Sequence, residues 1–115
     1  MDKKTIGYFG EAIAKKYLEN KGYSILATNW HFHHRELDLV AWHEETVVAI
    51  EVKTRKNMNV PCQTILKTAQ VKRLRSSLAA FCQYYGLDYE KSRLDLITVQ
   101  PKDKQTIIIK QRFDI

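Results

Sequence analysis

The sequence predicts an α/β protein in which helices pack on a mixed β-sheet. Apolar residues recur at helical spacing in two segments, one near the N-terminus and one in the centre of the chain, whereas the other apolar segments are short and rich in β-branched residues. Three of these strand-like segments lie between the helices and two follow the second helix. The order αβββαββ therefore predicts a three-stranded meander and a helical crossover to a fourth strand, which together make a mixed sheet.

Both predicted helices have an apolar stripe and a glycine stop. The first covers residues 5–21, where Ile6, Phe9 and Ile13 share one face and Gly22 follows a basic last turn. The second follows a polar loop at 55–61 and ends at Gly86. Its apolar face consists of Leu66, Leu74, Leu78, Phe81 and Tyr85.

The strands are predicted from short apolar or alternating segments bounded by polar turns. The link His43-Glu44-Glu45 is short enough for a tight hairpin between the second and third strands, and residues 101–104 form the turn between the last two. The five predicted strands cover residues 23–30, 36–42, 46–54, 94–100 and 106–113.

The composition excludes several classes of protein. A chain of 115 residues predicts one domain over 1–115, and 44% hydrophobic residues with few glycines and prolines exclude global disorder. The longest apolar runs are far shorter than the roughly 20 residues of a spanning helix, so we expect no membrane segment. Cys62 and Cys82 have neither metal-binding nor disulfide-framework spacing, so we expect reduced packing residues in a cytoplasmic protein.

The basic charge is concentrated in one segment. The chain has a formal net charge of +6, and residues 52–75 contain seven basic residues and no acid. Such a cluster is typical of proteins that bind the phosphate backbone of nucleic acids, although a solvated basic helix face explains it equally well. The seven residues are Lys53, Arg55, Lys56, Lys67, Lys72, Arg73 and Arg75.

The short link at 43–45 predicts how the second and third strands face each other. If the hairpin closes symmetrically, paired residues have numbers that sum to 89, and Asp38 lies opposite Glu51. Glu36 then lies opposite Lys53. The other face of the hairpin is apolar and consists of Leu37, Leu39, Ala41, Val48, Ile50 and Val52.

Two opposed carboxylates repel each other unless something compensates their charge. A divalent cation between Asp38 and Glu51 is the simplest compensation, and hard oxygen ligands favour Mg²⁺ over Zn²⁺. Lys53 would then reach a phosphate or an attacking hydroxide, which completes the components of metal-assisted phosphodiester hydrolysis. The alternative is structural: Glu36 and Lys53 form an ordinary cross-strand ion pair, and the opposed acids lie at a wet sheet edge.

Segments along nearly the whole chain resemble the YraN family of bacterial proteins. They are GYFGEAIA at 7–14, YL at 17–18, GYSIL at 22–26, Asn29, ELDLVA at 36–41, IEVKTR at 50–55 and RLD at 93–95. That family is similar to the PD-(D/E)XK nuclease superfamily and to archaeal Holliday-junction resolvases, whose core is αβββαβ. The resemblance implies a restriction-endonuclease-like fold with an additional C-terminal strand and a Mg²⁺- or Mn²⁺-dependent nuclease site.

The resemblance also assigns roles by position. Asp38 corresponds to the motif aspartate, and Glu51 and Lys53 correspond to the (D/E)XK pair, so Asp38 and Glu51 would hold the metal. Glu11 corresponds to the acid of the first helix. Glu11 lies at the edge of its helix's apolar stripe, so a role on the solvent-exposed surface is the alternative.

Two positions differ from the family pattern. Arg35 stands where most relatives have glycine, and it would either add a phosphate contact or crowd the approach to the site. Gln70 stands where many relatives have lysine, so a positive charge near the site is missing.

The sequence thus supports two functions on one scaffold. The first is a metal-dependent nuclease that cuts DNA, including branched or flapped DNA; the second is a non-catalytic nucleic-acid-binding protein. The resemblance to resolvases further implies a homodimer. The four histidines, with no cysteine beside them, are expected at the surface or facing nucleic acid rather than on zinc. The expected nucleic-acid contacts are Arg35, Glu36, Arg55, Lys56, Lys67, Lys72, Arg73 and Arg75.

Overall fold

The computed structural model describes residues 3–55, 66–102 and 105–113. The predicted order αβββαββ is confirmed, and a short 3₁₀ turn at Tyr89–Lys91, which the sequence pattern did not predict, precedes the fourth strand. The elements are α1 (Lys3–Asn20), β1 (Ser24–Phe32), β2 (Arg35–His43), β3 (Thr46–Thr54), α2 (Thr68–Tyr85), β4 (Ser92–Lys102) and β5 (Gln105–Phe113).

The five strands form one mixed sheet in the order β1-β2-β3-β4-β5. Neighbouring strands are antiparallel except β3 and β4, which pair in parallel because α2 lies between them in the chain. The predicted fold class, an α/β protein with helices on a mixed sheet, is therefore confirmed.

One helix covers each face of the sheet, so β3 is buried on both sides. This explains why Val47–Ile50 is a continuous apolar run rather than an alternating one. Under α1 the buried cluster contains Ala14, Leu18, Tyr23, Leu39, Ala41, Val48, Ile50, Ile97 and Val99. Under α2 it contains Leu37, Val40, Val47, Ala49, Leu66, Leu74, Leu78, Phe81, Cys82, Leu94 and Leu96.

The hairpin of β2 and β3 has the predicted register, but its ladder is shorter than predicted. Partner numbers sum to 89 from the His43–Thr46 pair to the Leu39–Ile50 pair, and within the described residues the pairing stops there. Beyond that point, Oδ2 of Asp38 accepts a hydrogen bond from the Val52 backbone N–H at 2.9 Å. The prediction that Asp38 and Glu51 form a ladder pair was therefore wrong, because the Asp38 side chain takes up a backbone donor of β3. Because the ladder ends at this point, Glu36 and Lys53 do not form the predicted ladder pair either.

Leu37 lies on the opposite face from the one predicted. It packs under α2 with Val40, whereas Leu39 packs under α1. Residues three apart in a regular strand point to opposite faces, so the alternation of β2 is interrupted in this interval. The β1 partner of Leu37 is Trp30, which also packs under α2, and the neighbouring Asn29 has a left-handed φ of 48°. Both strands are therefore irregular around the Trp30–Leu37 pair, next to the position at which Asp38 is no longer paired with β3.

Helix α1 approaches β3 closely at Gly10. A Cβ atom built on Gly10 would overlap the hydroxyl oxygen of Thr54, so the contact requires glycine. This close packing brings Glu11, the next residue of the helix, to the end of β3 that carries Glu51 and Lys53.

Candidate active site

A cavity of about 290 Å³ opens between the separated ends of β2 and β3 and the first half of α2. The strands contribute acids, and α2 contributes side chains spaced three or four residues apart along one face, as helical geometry requires. The lining residues are His34, Glu36, Asp38, Glu51, Gln70, Arg73, Leu74 and Ser77.

Asp38 and Glu51 converge in this cavity, and the protein holds one oxygen of each. Oδ2 of Asp38 accepts the Val52 N–H, and Oε2 of Glu51 accepts the side-chain amide of Gln70 at 3.3 Å. Burial, together with hydrogen bonding and repulsion from Asp38, raises the pKa of Glu51 to about 8. At neutral pH the Glu51 carboxyl therefore keeps its proton unless a cation replaces it.

Glu11 adds a third acid beside this pair. Its pKa is raised by burial and then by the negative charge of Asp38, while a hydrogen bond from Asn29 opposes the rise. Oε1 of Glu11 is buried and has no hydrogen-bond partner among the described residues. A buried carboxylate oxygen without a donor is costly, so the position is one that a cation or its water would stabilise. Glu11 as a whole is half-buried, and its role in the site stays a prediction.

Lys53 and Gln70 act on Glu51 from two directions. The positive charge of Lys53 and the hydrogen bond from Gln70 each lower the pKa of Glu51, although burial and Asp38 outweigh them. Lys53 does not line the cavity, so its position fits charge stabilisation at the rim rather than a contact inside the cavity.

The predicted nucleic-acid contacts are distributed unevenly around the cavity. Arg73 lines it, whereas the exposed Lys67, just before α2, and Lys72, on α2, lie outside the lining. Arg75 is half-buried on the same helix, and Arg55 is exposed just after β3. Glu36 lines the cavity, and its Oε1 lies 4.0 Å from Nδ1 of His31. Arg35 donates a hydrogen bond to Ser76 on α2 at 3.4 Å. Lys56, like Cys62, lies outside the described residues.

The donor set fits a hard divalent cation more closely than zinc. Within residues 3–55, 66–102 and 105–113, no group of three His, Cys, Asp or Glu side chains is already arranged around a metal position. Mg²⁺ commonly binds through one or two carboxylates and keeps several waters, so Asp38 and Glu51 suffice for it. The unpartnered oxygen of Glu11 lies in the same acidic environment and could accept a hydrogen bond from such a water.

Sequence reasoning found only part of the contribution of α2 to the site. Gln70, Arg73, Leu74 and Ser77 form one face of this helix, but only Arg73 was predicted as a contact. Their spacing of i, i+3, i+4 and i+7 was visible in the sequence. It could have indicated a polar patch at the start of the helix's sheet-facing stripe.

A second charged cluster, also not predicted, lies away from the cavity on the α1 side of the sheet. Asp95 is fully buried and pairs with Arg93 at 2.9 Å and Lys110 at 3.5 Å. Both basic groups also donate to the hydroxyl of Tyr23 at 2.9 Å, and the Tyr23 ring stacks on His43 at 3.9 Å. The cluster connects β1, β2, β4 and β5 and has a structural role.

The fold and the site together define an α/β protein with a carboxylate pair at the open end of a β-hairpin, facing a basic helix. The chain belongs to the uncharacterised protein family UPF0102, which it matches over residues 10–99. The family membership expected from the sequence resemblance is thus confirmed.

Relatives from several bacteria match most of the chain. A UPF0102 protein of Parabacteroides distasonis is 34% identical over 104 residues, which is 90% of this chain and 85% of that one. One from Flavobacterium psychrophilum is 37% identical over 101 residues, covering 87% and 84% of the two chains. A third, from Caldanaerobacter subterraneus, is 38% identical over 109 residues, with coverage of 86% and 82%.

Among solved structures, the chain is similar to Hjc, a Holliday junction resolvase of the archaeal hyperthermophile Archaeoglobus fulgidus. The TM-score is 0.49 and the sequence identity 21%, over 85% of this chain and 73% of Hjc. A similarity at this level concerns the fold and does not assign an activity.

Proposed function

We propose that the protein is a nuclease that hydrolyses phosphodiester bonds of DNA with Mg²⁺ or Mn²⁺ held by Asp38 and Glu51. The observation that carries this proposal is the convergence of the two carboxylates in a cavity whose other wall is α2, a helix without a single acid. A cation between Asp38 and Glu51 would take the place of the proton that Glu51 holds. The phosphate of the substrate would then lie between this cation and Arg73.

The chain's own residues orient these groups and balance their charge. The Val52 N–H and the Gln70 amide each hold one carboxylate oxygen, which leaves the second oxygen of Asp38 and of Glu51 for the metal. A bound divalent cation supplies positive charge that polarises the phosphate and the attacking water. Lys53 contributes positive charge beside Glu51, and Arg73 binds a phosphate oxygen.

The test compares cleavage by the wild-type protein with cleavage by Glu51→Gln and Asp38→Asn. Single-stranded, duplex and four-way DNA are incubated with Mg²⁺, Mn²⁺ or EDTA. Loss of a group that touches the metal is expected to reduce the cleavage rate by at least about 100-fold, since even residues that only orient metal ligands contribute roughly 10- to 100-fold. Glu19→Gln is the matched control, because Glu19 is exposed near the end of α1. This variant should cleave DNA like the wild type. Equal cleavage by wild type and Glu51→Gln on every substrate would contradict the proposal.

The second candidate function is nucleic-acid binding without catalysis. It is favoured by Gln70, whose amide already satisfies Oε2 of Glu51 and so reduces the need for a cation there. This function predicts DNA binding that weakens steeply with salt and is unchanged by EDTA, together with no cleavage on any substrate. Binding that requires the metal, or cleavage that Glu51→Gln abolishes, would exclude it.

Location in the cytoplasm and assembly of two copies into a homodimer both stay predictions. In the described part of the chain, neither helix has the length and apolar character needed to cross a membrane.

A further inference from the structure

A second groove, of about 530 Å³, adjoins the candidate active site along α2. Its floor is made of small α2 residues, Ser76, Ala79 and Ala80, and its far end is formed by two aromatic side chains, Phe32 and Tyr84. Phe32 ends β1, so the tip of the β1–β2 hairpin forms one wall of the groove and α2 forms the other.

The groove and the cavity are lined by residues that neighbour each other in the chain. Ser76 on the groove floor adjoins Ser77, which lines the cavity. On the hairpin side, Arg35 in the groove lies between His34 and Glu36, which both line the cavity. The hydrogen bond from Nε of Arg35 to Oγ of Ser76, at 3.4 Å, marks the boundary between the two spaces.

The aromatic end of the groove is unusually exposed for side chains of this size. Tyr84 is 65% exposed and Phe32 is 39% exposed, with ring centroids 5.8 Å apart. His33 adds a third ring, 4.4 Å from Phe32. By contrast, Phe81 on the same helix is buried in the core. The exposed rings therefore contribute little to the core and remain accessible to a ligand.

We propose that this groove binds an unpaired nucleotide next to the scissile phosphodiester, with its base stacked on Tyr84 and Phe32. The inference rests on the proposed nuclease function and specifies its substrate as DNA with a single-stranded segment adjoining the cleavage position. Aromatic side chains stack on unpaired bases of any sequence, and a positive groove follows the backbone. Arg35 supplies that charge, no acid is among the described residues that line the groove, and the small residues of its floor allow the sugar-phosphate chain to approach α2.

The charge of the groove favours nucleic acid over an apolar protein segment as its occupant. Among the described residues of its lining, Arg35 is the one that carries a charge, and Arg73 follows at the adjoining cavity wall. Paired bases within a duplex are already stacked, so only an unpaired base can use the aromatic end. Discrimination between forked and blunt DNA is therefore the property that the groove provides.

The test measures binding by fluorescence anisotropy, in EDTA so that no cleavage occurs. Three probes are compared: a blunt duplex, a fork with an oligothymidine arm, and the same fork with an abasic arm. The wild type is expected to prefer the oligothymidine fork, and Tyr84→Ala and Phe32→Ala should each reduce this preference about 5- to 150-fold, the range for loss of one stacked base. Tyr84→Trp should retain it. Tyr8→Ala is the matched control, because Tyr8 is 53% exposed on α1 and on the other face of the sheet.

The outcomes separate this inference from the nuclease proposal. Equal affinity for abasic and oligothymidine forks, or an unchanged preference in Tyr84→Ala, would overturn the stacking site even if metal-dependent cleavage is found. A protein that binds none of the DNA probes overturns it too, and leaves a protein partner for the groove. Loss of preference in Tyr84→Ala with no cleavage by the wild type would support the stacking site and contradict the nuclease.

Discussion

Gln70 determines much of the charge environment of Glu51, because its amide is the side chain of α2 that reaches the acid pair. Gln70→Lys would place an ammonium group near Oε2 of Glu51 and should lower the pKa of Glu51 from about 8 towards its ordinary range. Gln70→Glu should raise it further, since a further acid would then lie beside Glu51. The pKa of Glu51 in each variant is measured by NMR, from the chemical shift of its carboxyl carbon as a function of pH. A change of the same sign in both variants would show that Gln70 acts through packing instead of charge.

Asp95 is a buried charged residue that stabilises the fold and does not belong to the candidate active site. Its two basic partners also share the Tyr23 hydroxyl, so the acid and the phenol are interdependent acceptors. Asp95→Ala would leave Arg93 and Lys110 without their counter-charge and should cost about 3–5 kcal/mol of unfolding free energy. Tyr23→Phe removes one shared acceptor and should cost about 1–3 kcal/mol.

Urea unfolding of both variants measures these costs, with DNA cleavage of the folded fraction as the second measurement. We expect the specific activity of folded Tyr23→Phe to match the wild type, because the cluster lies on the other face of the sheet from the cavity. A variant that unfolds normally but loses activity would show that the cluster belongs to the site.

At the scale of elements, the contact of α1 with β3 determines whether Glu11 reaches the acid pair. Gly10→Ala would force a Cβ into the Thr54 hydroxyl, and overpacking of this kind typically costs about 1–3 kcal/mol. Gly7 provides a control in the same helix, because a Cβ there meets no atom within 4 Å. Gly7→Ala should instead stabilise α1 by roughly 0.5–1 kcal/mol, the difference in helix propensity. Thermal unfolding of both variants tests the opposite signs, and equal shifts would contradict the close contact.

Which elements form was predictable from the sequence because periodicity reflects burial. The hairpin register followed from the short link at 43–45. Alternation supported it, since a slip of one residue would have placed charged groups among Leu39, Val48 and Ile50. Asp38 was harder to place, because nothing in the pattern shows that its carboxylate takes the Val52 N–H. Leu37 was assigned to the wrong face of the hairpin, because the pattern of β2 does not show where its alternation is interrupted. The left-handed residue at this point, Asn29, lies on the neighbouring strand β1.

The residues of the site were partly predictable. Asp38, Glu51 and Arg73 were identified from opposed acids and clustered charge, and all three line the cavity. Gln70 was noted only as a missing charge, because its hydrogen bond depends on how α2 docks over the sheet. Lys53 was expected to reach a phosphate or an attacking hydroxide, and this role stays a prediction. Its charge lowers the pKa of Glu51, although Lys53 lies outside the cavity lining. Docking angles and side-chain reach are properties of packing, which a single sequence does not encode in any local pattern.

For the whole molecule, the raised pKa of Glu51 links stability to pH. In the unfolded chain Glu51 loses its proton near its ordinary pKa of 4.5, whereas in the folded metal-free protein it keeps the proton until about pH 8. Between these values the folded state binds more protons than the unfolded state, so stability falls as pH rises. Glu51 contributes up to about 1.4 kcal/mol per pH unit to this decline, and its stabilisation is fully present only below pH 4.5. Glu11 contributes with the same sign, because its pKa is also raised.

Urea unfolding in EDTA at several pH values between 5 and 9 measures this decline. Glu51→Gln carries no titrating group at this position, so its stability should fall less steeply and exceed that of the wild type at pH 9. Glu19→Gln, which changes an exposed acid of α1, should keep the wild-type slope. A wild-type slope in Glu51→Gln would contradict the assignment of the raised pKa to Glu51.

Mg²⁺ should reverse the effect of pH, because the cation competes with the proton that the acid pair holds. Below about pH 8 a metal ion must displace that proton, whereas above it the carboxylates are already free to bind, so metal affinity should rise with pH. The increase in unfolding temperature caused by a fixed Mg²⁺ concentration should therefore be larger at pH 9 than at pH 6, and it should be absent in Asp38→Asn. A Mg²⁺ effect that is independent of pH, or that survives in Asp38→Asn, would place the cation elsewhere on the protein. The decline in unfolding free energy at alkaline pH would then come only from ionisation of the buried Glu51, with no metal ion bound in its place.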